Sequence, residues 1–353
     1  MMQRYSKIHP ETIKRLQSER ILITGASGLL GRQLVFELVR VGLRPVCLVR
    51  ESSDITYLSS LDLEIRFADL RDSGAVADAF KGIDRVVHTA ALVDFRGDKL
   101  TMFTGINCFG ALSCYRASCA AGVKRFAHIS SVVGIGARSR LAKGAASAPL
   151  TESAEFNLRD VRVPYILSKR SAEELLAAET HSGPELVTLN PSIVVAPSRH
   201  SSDRRRIDRF FDRPFIPTIP IRLNIVDVRD IAPAIVNALV SGVAGKRYLL
   251  TGENLALTEI LNIFQELTGK APRHVRIPHS LLNLAAKYFN AKHKRNSGGK
   301  LRLYPDLLKM LDYDWVYDNS LAKSELGFLS RPARETLGDL YHETFRGTFL
   351  DTQ

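Results

Sequence analysis

The chain has 353 residues, 45% of them hydrophobic, with one Trp, four Cys and Lys+Arg 49 against Asp+Glu 37. A chain of this length buries about three quarters of its unfolded surface, enough for one large domain with a lobe or for two domains. This composition excludes disordered, collagen-like and disulfide-scaffold classes, and the net charge of +12 comes without a nucleic-acid recognition motif.

The first twenty residues, MMQRYSKIHPETIKRLQSER, hold no apolar run long enough for a signal peptide or a membrane span. They predict a short polar helix ahead of the first strand. From there to about Pro191, apolar runs of four to six residues alternate with helix-period stretches. This is the pattern of a parallel sheet covered on both faces. The predicted strands are 21–24, 45–49, 64–68, 85–90, 125–130 and 186–190, and the predicted helices are 31–41, 73–80, 107–121 and 165–180. Right-handed crossovers make this an α/β, doubly wound parallel (Rossmann) sheet.

At the first strand-to-helix turn, ILITGASGLLG sets Gly25, Gly28 and Gly31 in a GxxGxxG array, with Ser27, Leu29 and Leu30 between them. Glycine lets the backbone approach a pyrophosphate, and the helix N-terminus offers it unpaired amides. The second strand ends in CLVRESSD, with Arg50 nineteen residues after Gly31 and no carboxylate before Glu51. An acidic residue there takes a ribose 2′-hydroxyl and a basic one a 2′-phosphate. Arg50 therefore predicts NADP in preference to NAD, with Ser52 and Ser53 as extra donors and Arg32 as the alternative cation. Asp69 in FADLRD is placed to touch adenine, beside Leu70, or else caps a helix. Thr89, Ala90 and Ala91 close the fourth strand on the same rim.

Residues 100–123 carry a single charge, Arg116. Asn107 and the small and polar residues around it argue against a membrane span. All-round apolarity instead suits a helix held between the sheet and a second surface, which motivates a homodimer. Asn107 closes a hydrogen-bond chain or orders the helix start. Cys108 and Cys119 would share a face about 16 Å apart, too far to bond. With no CxxC pair, all four cysteines read as reduced core thiols of a cytoplasmic protein.

HISS places Ser130 and Ser131 at the carboxyl end of a strand, and YILSK places Tyr165 and Lys169 four residues apart, about 6 Å along one helix face. A strand end and a helix thus bring a hydroxyl, a phenol and an ammonium to one rim. Pro191 and Ser192 in LNPS pass beside them. His88 and His128 read as satisfied core histidines, and no metal-ligand frame accompanies them.

After Pro191 the rhythm breaks into SRHSSDRRRIDRFF and RPFIPTIPI before strand and helix resume. The expected division is 1–195 with 225–251 for the nucleotide domain, and 196–224 with 252–353 for a smaller, mainly C-terminal substrate lobe. Arg204, Arg205 and Arg206, interspersed with Asp203, Asp208 and Asp212, read as a solvated flexible loop rather than a phosphate clamp. Residues 271–303 hold eight basic side chains, Arg273, Arg276, Lys287, Lys292, Lys294, Arg295, Lys300 and Arg302, and no acidic one. That segment reads as a solvated surface or an anion site, with peripheral membrane contact through Leu281, Leu282, Leu284, Tyr288 and Phe289 as the alternative.

In order, TGASGLLG, ADL, VVHTAA, INCFGAL, HISS, YILSK, LNPS, VDVRDIA, RYLLTGENLALTEI and YDNSLAKSELGF resemble an extended short-chain dehydrogenase/reductase of the NAD-dependent epimerase/dehydratase superfamily, over residues 21–347. CLVRESSD and GENLALTEI resemble its dihydroflavonol-reductase-like branch, including hopanoid-associated sugar epimerase-like proteins, and VVHTAALVDF resembles 3β-hydroxysteroid dehydrogenases. The resemblance implies Tyr165 as acid/base, Ser131 as the hydroxyl holding the reacting oxygen, and Lys169 as electrostatic partner and binder of the nicotinamide ribose. Ser131 is preferred to Ser130 because it precedes Gly136 by the family's spacing; the family's Tyr in that stretch is missing from SVVGIG, which weakens a nucleotide-sugar reading. Three functions compete: an NADP-dependent reductase of a small, largely apolar ketone, a nucleotide-sugar epimerase/dehydratase, and a non-catalytic cofactor sensor. The epimerase would need diphosphate-binding cations, with Arg199, Arg222 and the arginine run as candidates.

Overall fold

The computed structural model describes residues 5–94, 100–140, 148–179, 183–197, 201–278, 281 and 305–342. Leu282, Leu284, Lys287, Tyr288, Phe289, Lys292, Lys294, Arg295, Lys300 and Arg302 lie outside those residues, as does Arg199.

In chain order the nucleotide-binding half runs α1 (Pro10–Leu16), β1 (Ile21–Thr24), α2 (Leu29–Arg40), β2 (Val46–Val49), β3 (Ile65–Phe67), α3 (Ser73–Ala79) and β4 (Arg85–His88). A composite helix follows, then β5 (Arg125–Ile129), the helix Pro164–Ala178 and a further strand Glu185–Pro191. A late strand, Arg247–Leu250, joins after a helix at Val228–Ser241 and completes a seven-stranded sheet in which every pairing is parallel. The order from β3 runs through β2, β1, β4 and β5 and ends at the two later strands. The strand order reverses between β1 and β4, and ligands of open α/β sheets bind in the crevice such a reversal opens at the carboxyl edge.

The alternation of side chains along buried strands builds two separate cores. Ile21 and Ile23, with Cys47 and Val49, pack against α2 and the Val228–Ser241 helix, whereas Leu22, Val46 and Leu48 pack against Val76, Phe80, Cys114 and Tyr115 on the other face. α1 forms ahead of the first strand, its His9 amide donating to Asn237 Oδ1 at 2.9 Å.

Three local readings are corrected. α2 starts at Leu29, two residues before the predicted 31, because extended Gly28 is already its N-cap. The predicted helix 107–121 begins at Leu100–Phe103, passes through a π-helical stretch Thr104–Gly110 and continues as Ala111–Ala120, so Asn107 lies inside a helix rather than at its start. Cys108 is buried whereas Cys119 is exposed, so Cys119 is not the core thiol expected. Along this helix Leu100, Met102 and Phe109 are exposed.

The arginine run is the third correction: Ser201–Phe211 is an α-helix, not a loop. Ile207 and Phe211, one turn apart, pack on Leu261 and Phe264, and that apolar stripe outweighs the charges. A three-stranded sheet is also formed by Ile193–Val195, Arg222–Asp227 and Glu253–Ala256, with the middle strand parallel to the first and antiparallel to the last. The expected boundaries at 195/196 and 224/225 therefore fall beside one strand of this sheet and within another. A buried ion network from VDVRD anchors the C-terminal helix Ala333–His342: Arg229 bonds Asp227 and Asp339, both at 2.7 Å, and Arg331 bonds Asp230 at 2.8 Å.

Candidate active site

The glycine turn is fixed by sterics. Gly25 has φ +69°, and a Cβ there would stand 2.8 Å from Ala90 Cα; on Gly31 it would stand 2.2 Å from the Gly25 carbonyl oxygen. No side chain caps α2, so its first amides are offered to the cleft, where an anion gains from them and from the helix dipole. The fit to a dinucleotide pyrophosphate is therefore built into the backbone. The cleft measures about 400 Å³, and its lining includes Gly25, Ser27, Gly28, Leu29, Leu30 and Gly31. Arg50, Asp69, Leu70, Thr89, Ala90, Ala91, Pro191 and Ser192 also line it, together with Ser131, Tyr165 and Lys169. Asn107 does not.

At the outer end, Arg50 is exposed at the close of β2, its amide donating to Ser53 Oγ at 3.2 Å. Arg32 is committed elsewhere, to the Ser27 carbonyl at 2.8 Å and to Asp54 at 3.1 Å. Asp69 is gripped through both carboxylate oxygens by Arg71, at 2.9 and 2.6 Å, and that bonding holds its carboxyl down at about 2. The cap of α3 is Asp72, not Asp69. Ser53, offered as an extra donor, also lines the cleft, as does Arg71, which the sequence reading missed and whose signal was proximity to Asp69.

At the inner end, helix α4 (Pro164–Ala178) starts with Pro164 in its first turn, which puts Tyr165 at its mouth and Lys169 one turn deeper. Tyr165 is 7% exposed and meets Phe103 edge-on, ring centroids 6.4 Å apart. Burial raises its phenol above the ordinary 10, and the hydrogen-bonded Ser131 hydroxyl opposes that rise. Ser131 Oγ also donates to the Pro191 carbonyl at 3.5 Å.

Lys169, the expected electrostatic partner of Tyr165, is tied back to the main chain. Lys169 Nζ donates to the Ile129 carbonyl at 2.9 Å, and burial pulls the amine down to about 8 against the opposing pull of Glu173 and Cys108. A buried ammonium must find an acceptor, and a main-chain carbonyl supplies it.

Asn107 sits inside the helix and takes part in a hydrogen-bond chain, since its partner Ser168 donates onward to the Tyr165 carbonyl at 2.9 Å. Its Oδ1 accepts the Leu92 amide at 2.7 Å, and its Nδ2 donates to the Leu92 carbonyl at 3.0 Å and to Ser168 Oγ at 2.9 Å. It ties the loop after β4 to α4.

Glu173, unread in the sequence, is buried one turn beyond Lys169. Asn190 Nδ2 bridges it, at 2.7 Å, to the Ser131 carbonyl, at 2.9 Å, and Arg247 stands 3.4 Å away. This bridge fixes the helix carrying Tyr165 against the strand end carrying Ser131. His88 bonds Thr24 Oγ1 at 2.9 Å, and burial pushes it down to about 3. His128 stacks on it at 5.6 Å and is not the satisfied histidine expected: neither ring nitrogen has a partner among the described residues. Burial keeps it neutral, so a ring flanked by apolar strands tolerates the missing bonds without carrying charge.

Residues 21–250 match the NAD dependent epimerase/dehydratase family. Sterol demethylase protein B of Methylococcus capsulatus is 30% identical over 90% of this chain and 96% of its own length. A putative dihydroflavonol 4-reductase of Synechocystis is 27% identical over 94% of this chain and 96% of its own. Among solved structures, gox2253 superposes with a TM-score of 0.78 at 27% identity, covering 94% of this chain and all of that one (100%). With its seven-stranded parallel sheet and dinucleotide cleft, the chain belongs to the NAD-dependent epimerase/dehydratase family and is an NAD(P)-dependent extended short-chain dehydrogenase/reductase.

Proposed function

We propose that this enzyme uses NADP to move a hydride between the nicotinamide and a secondary alcohol or ketone of a small, largely apolar substrate, with Tyr165 as the acid/base. The observation that carries this reading is the surroundings of Tyr165. Its ring belongs to an apolar cluster with Phe103, Val133, Ile221 and Trp315, against which Leu92, Ile219 and Met310 pack. Among the described residues, the cations lining the cleft are Arg50, Arg71 and Lys169, and two of these stand at its outer end.

A nucleotide sugar would need its diphosphate matched beside the phenol. Arg204 lies over the Tyr341 ring, 5.0 Å from its centroid, and exposed Arg222 sits on a strand whose backbone bonds Asp314; neither lines the cleft. The names of the relatives, a sterol demethylase protein and a dihydroflavonol reductase, point to similarly apolar or ring-fused substrates.

In the reducing direction a nicotinamide held in the cleft would supply the hydride to the carbonyl carbon. Ser131 holds the carbonyl oxygen by a hydrogen bond, and Tyr165 Oη gives it the proton. Lys169 supplies positive charge behind the phenol, and Glu173 and Asn190 keep the two supporting elements in register. Arg50 meets the 2′-phosphate with a planar donor fork.

Purified protein is expected to oxidise NADPH in step with reduction of apolar cyclic ketones, one for one. Conversion of a sugar nucleotide with tightly held cofactor and no net NADPH consumption would overturn the proposal.

A further inference from the structure

The lobe carries a surface that the cleft does not use. Its strands Phe215–Thr218 and Arg273–Arg276 pair in parallel, with Arg273 opposite Phe215 and Val275 opposite Pro217. Side chains alternate across a sheet, so these four residues share one face. All four are exposed, whereas Ile216 and Thr218 on the other face are buried. Phe215 is 54% exposed and Val275 48%. The preceding helix, Ser201–Phe211, ends beside this sheet and contributes exposed Phe210, over whose ring the Arg213 guanidinium lies 5.3 Å from the centroid. Leu281, just beyond the second strand, is exposed as well.

The charge around these apolar groups has one sign. Arg205, Arg209, Arg213, Arg273 and Arg276 are exposed and form no ion pair among the described residues. The nearby carboxylates are already engaged: Asp212 pairs with Lys270 at 2.8 Å, and Asp208 accepts from Tyr341 at 2.8 Å. Exposed aromatics rimmed by uncompensated arginines complement a surface that is apolar inside and anionic outside.

We infer that this face, Phe210, Phe215 and Val275 with Arg213 and Arg273, docks the enzyme on an anionic lipid bilayer. The phenyl rings enter the headgroup boundary and the guanidinium groups meet lipid phosphates. The same element leads inward: Ile219, directly after the first strand, packs in the apolar cluster that contains Tyr165. Docking would bring that cluster close to the compartment in which an apolar substrate dissolves. The inference does not depend on the proposed reaction, because vesicle binding requires no turnover.

The test is co-sedimentation of the full chain with vesicles of phosphatidylcholine alone or mixed with phosphatidylglycerol, at low and raised salt. Binding is expected to the mixed vesicles only and to weaken with salt. The pair Arg213→Ala with Arg273→Ala should weaken it by about 25-fold, at about fivefold per arginine. The pair Phe210→Ser with Phe215→Ser should also weaken it, with net charge unchanged. Thermal unfolding and NADPH binding would be followed for both pairs to show that the fold is kept. Absence of binding by the wild type, or wild-type binding by both folded variants, would overturn the inference. So would a finding that the phenylalanine pair abolishes self-association of a chain that ignores vesicles, since the face would then bind a second copy.

Discussion

Tyr165→Phe is expected to cut turnover by about 10²- to 10⁴-fold, the usual contribution of a positioned acid or base. The affinity for NADPH should stay within about tenfold, since a lost hydrogen bond of this kind changes binding by no more than about 0.5–1.5 kcal/mol. The substitution keeps the ring that meets Phe103 edge-on and removes only the hydroxyl bonded to Ser131. Loss of activity would therefore report on the proton and not on packing. Steady-state rates with NADPH and an apolar ketone, alongside fluorescence titration of NADPH, separate the two quantities. Turnover kept by the folded variant would remove the proposed acid.

Arg50→Asp is expected to weaken NADPH by about 10- to 100-fold, the value of a charge-assisted hydrogen bond to phosphate. NADH should change little or bind better, because a carboxylate at the end of β2 accepts a ribose 2′-hydroxyl. The other cation at that end, Arg71, is occupied by Asp69, and Arg32 by Asp54 and the Ser27 carbonyl. Equal losses for both dinucleotides would mean that another residue reads the phosphate.

The dinucleotide half was legible because its central strands are buried on both faces and write themselves as unbroken apolar runs, while Gly25, Gly28 and Gly31 mark the turn where the backbone must approach a ligand. The π-helical stretch was not legible. Gly105 and Gly110 weaken a helical pattern, and only packing against α4 shows that the helix continues through them to Leu100. The helix Ser201–Phe211 was hidden in the same way, since its charges outnumber the two apolar residues, Ile207 and Phe211, that seat it.

Around the site, residue types could be read but not their bonding. Glu173 in SAEELL resembles the solvent side of a helix, and its bridge through Asn190 to Ser131 joins residues far apart in the chain. The partner of Lys169 was equally hidden, because a main-chain carbonyl carries no sequence signature.

The account rests on how the Tyr165 phenol ionises. In the structure burial holds it above 10, opposed by the Ser131 hydroxyl. As a catalyst it needs to be about 4 kcal/mol more acidic than a free phenol, which the positive charge of an oxidised nicotinamide and of Lys169 would supply together. The decisive measurement is near-ultraviolet difference absorbance of the wild type minus Tyr165→Phe as pH is raised, with and without saturating NADP⁺. The account predicts that the phenolate of Tyr165 forms only above pH 10 without the dinucleotide and well below it when NADP⁺ is bound. Ionisation above pH 10 in both conditions would contradict it.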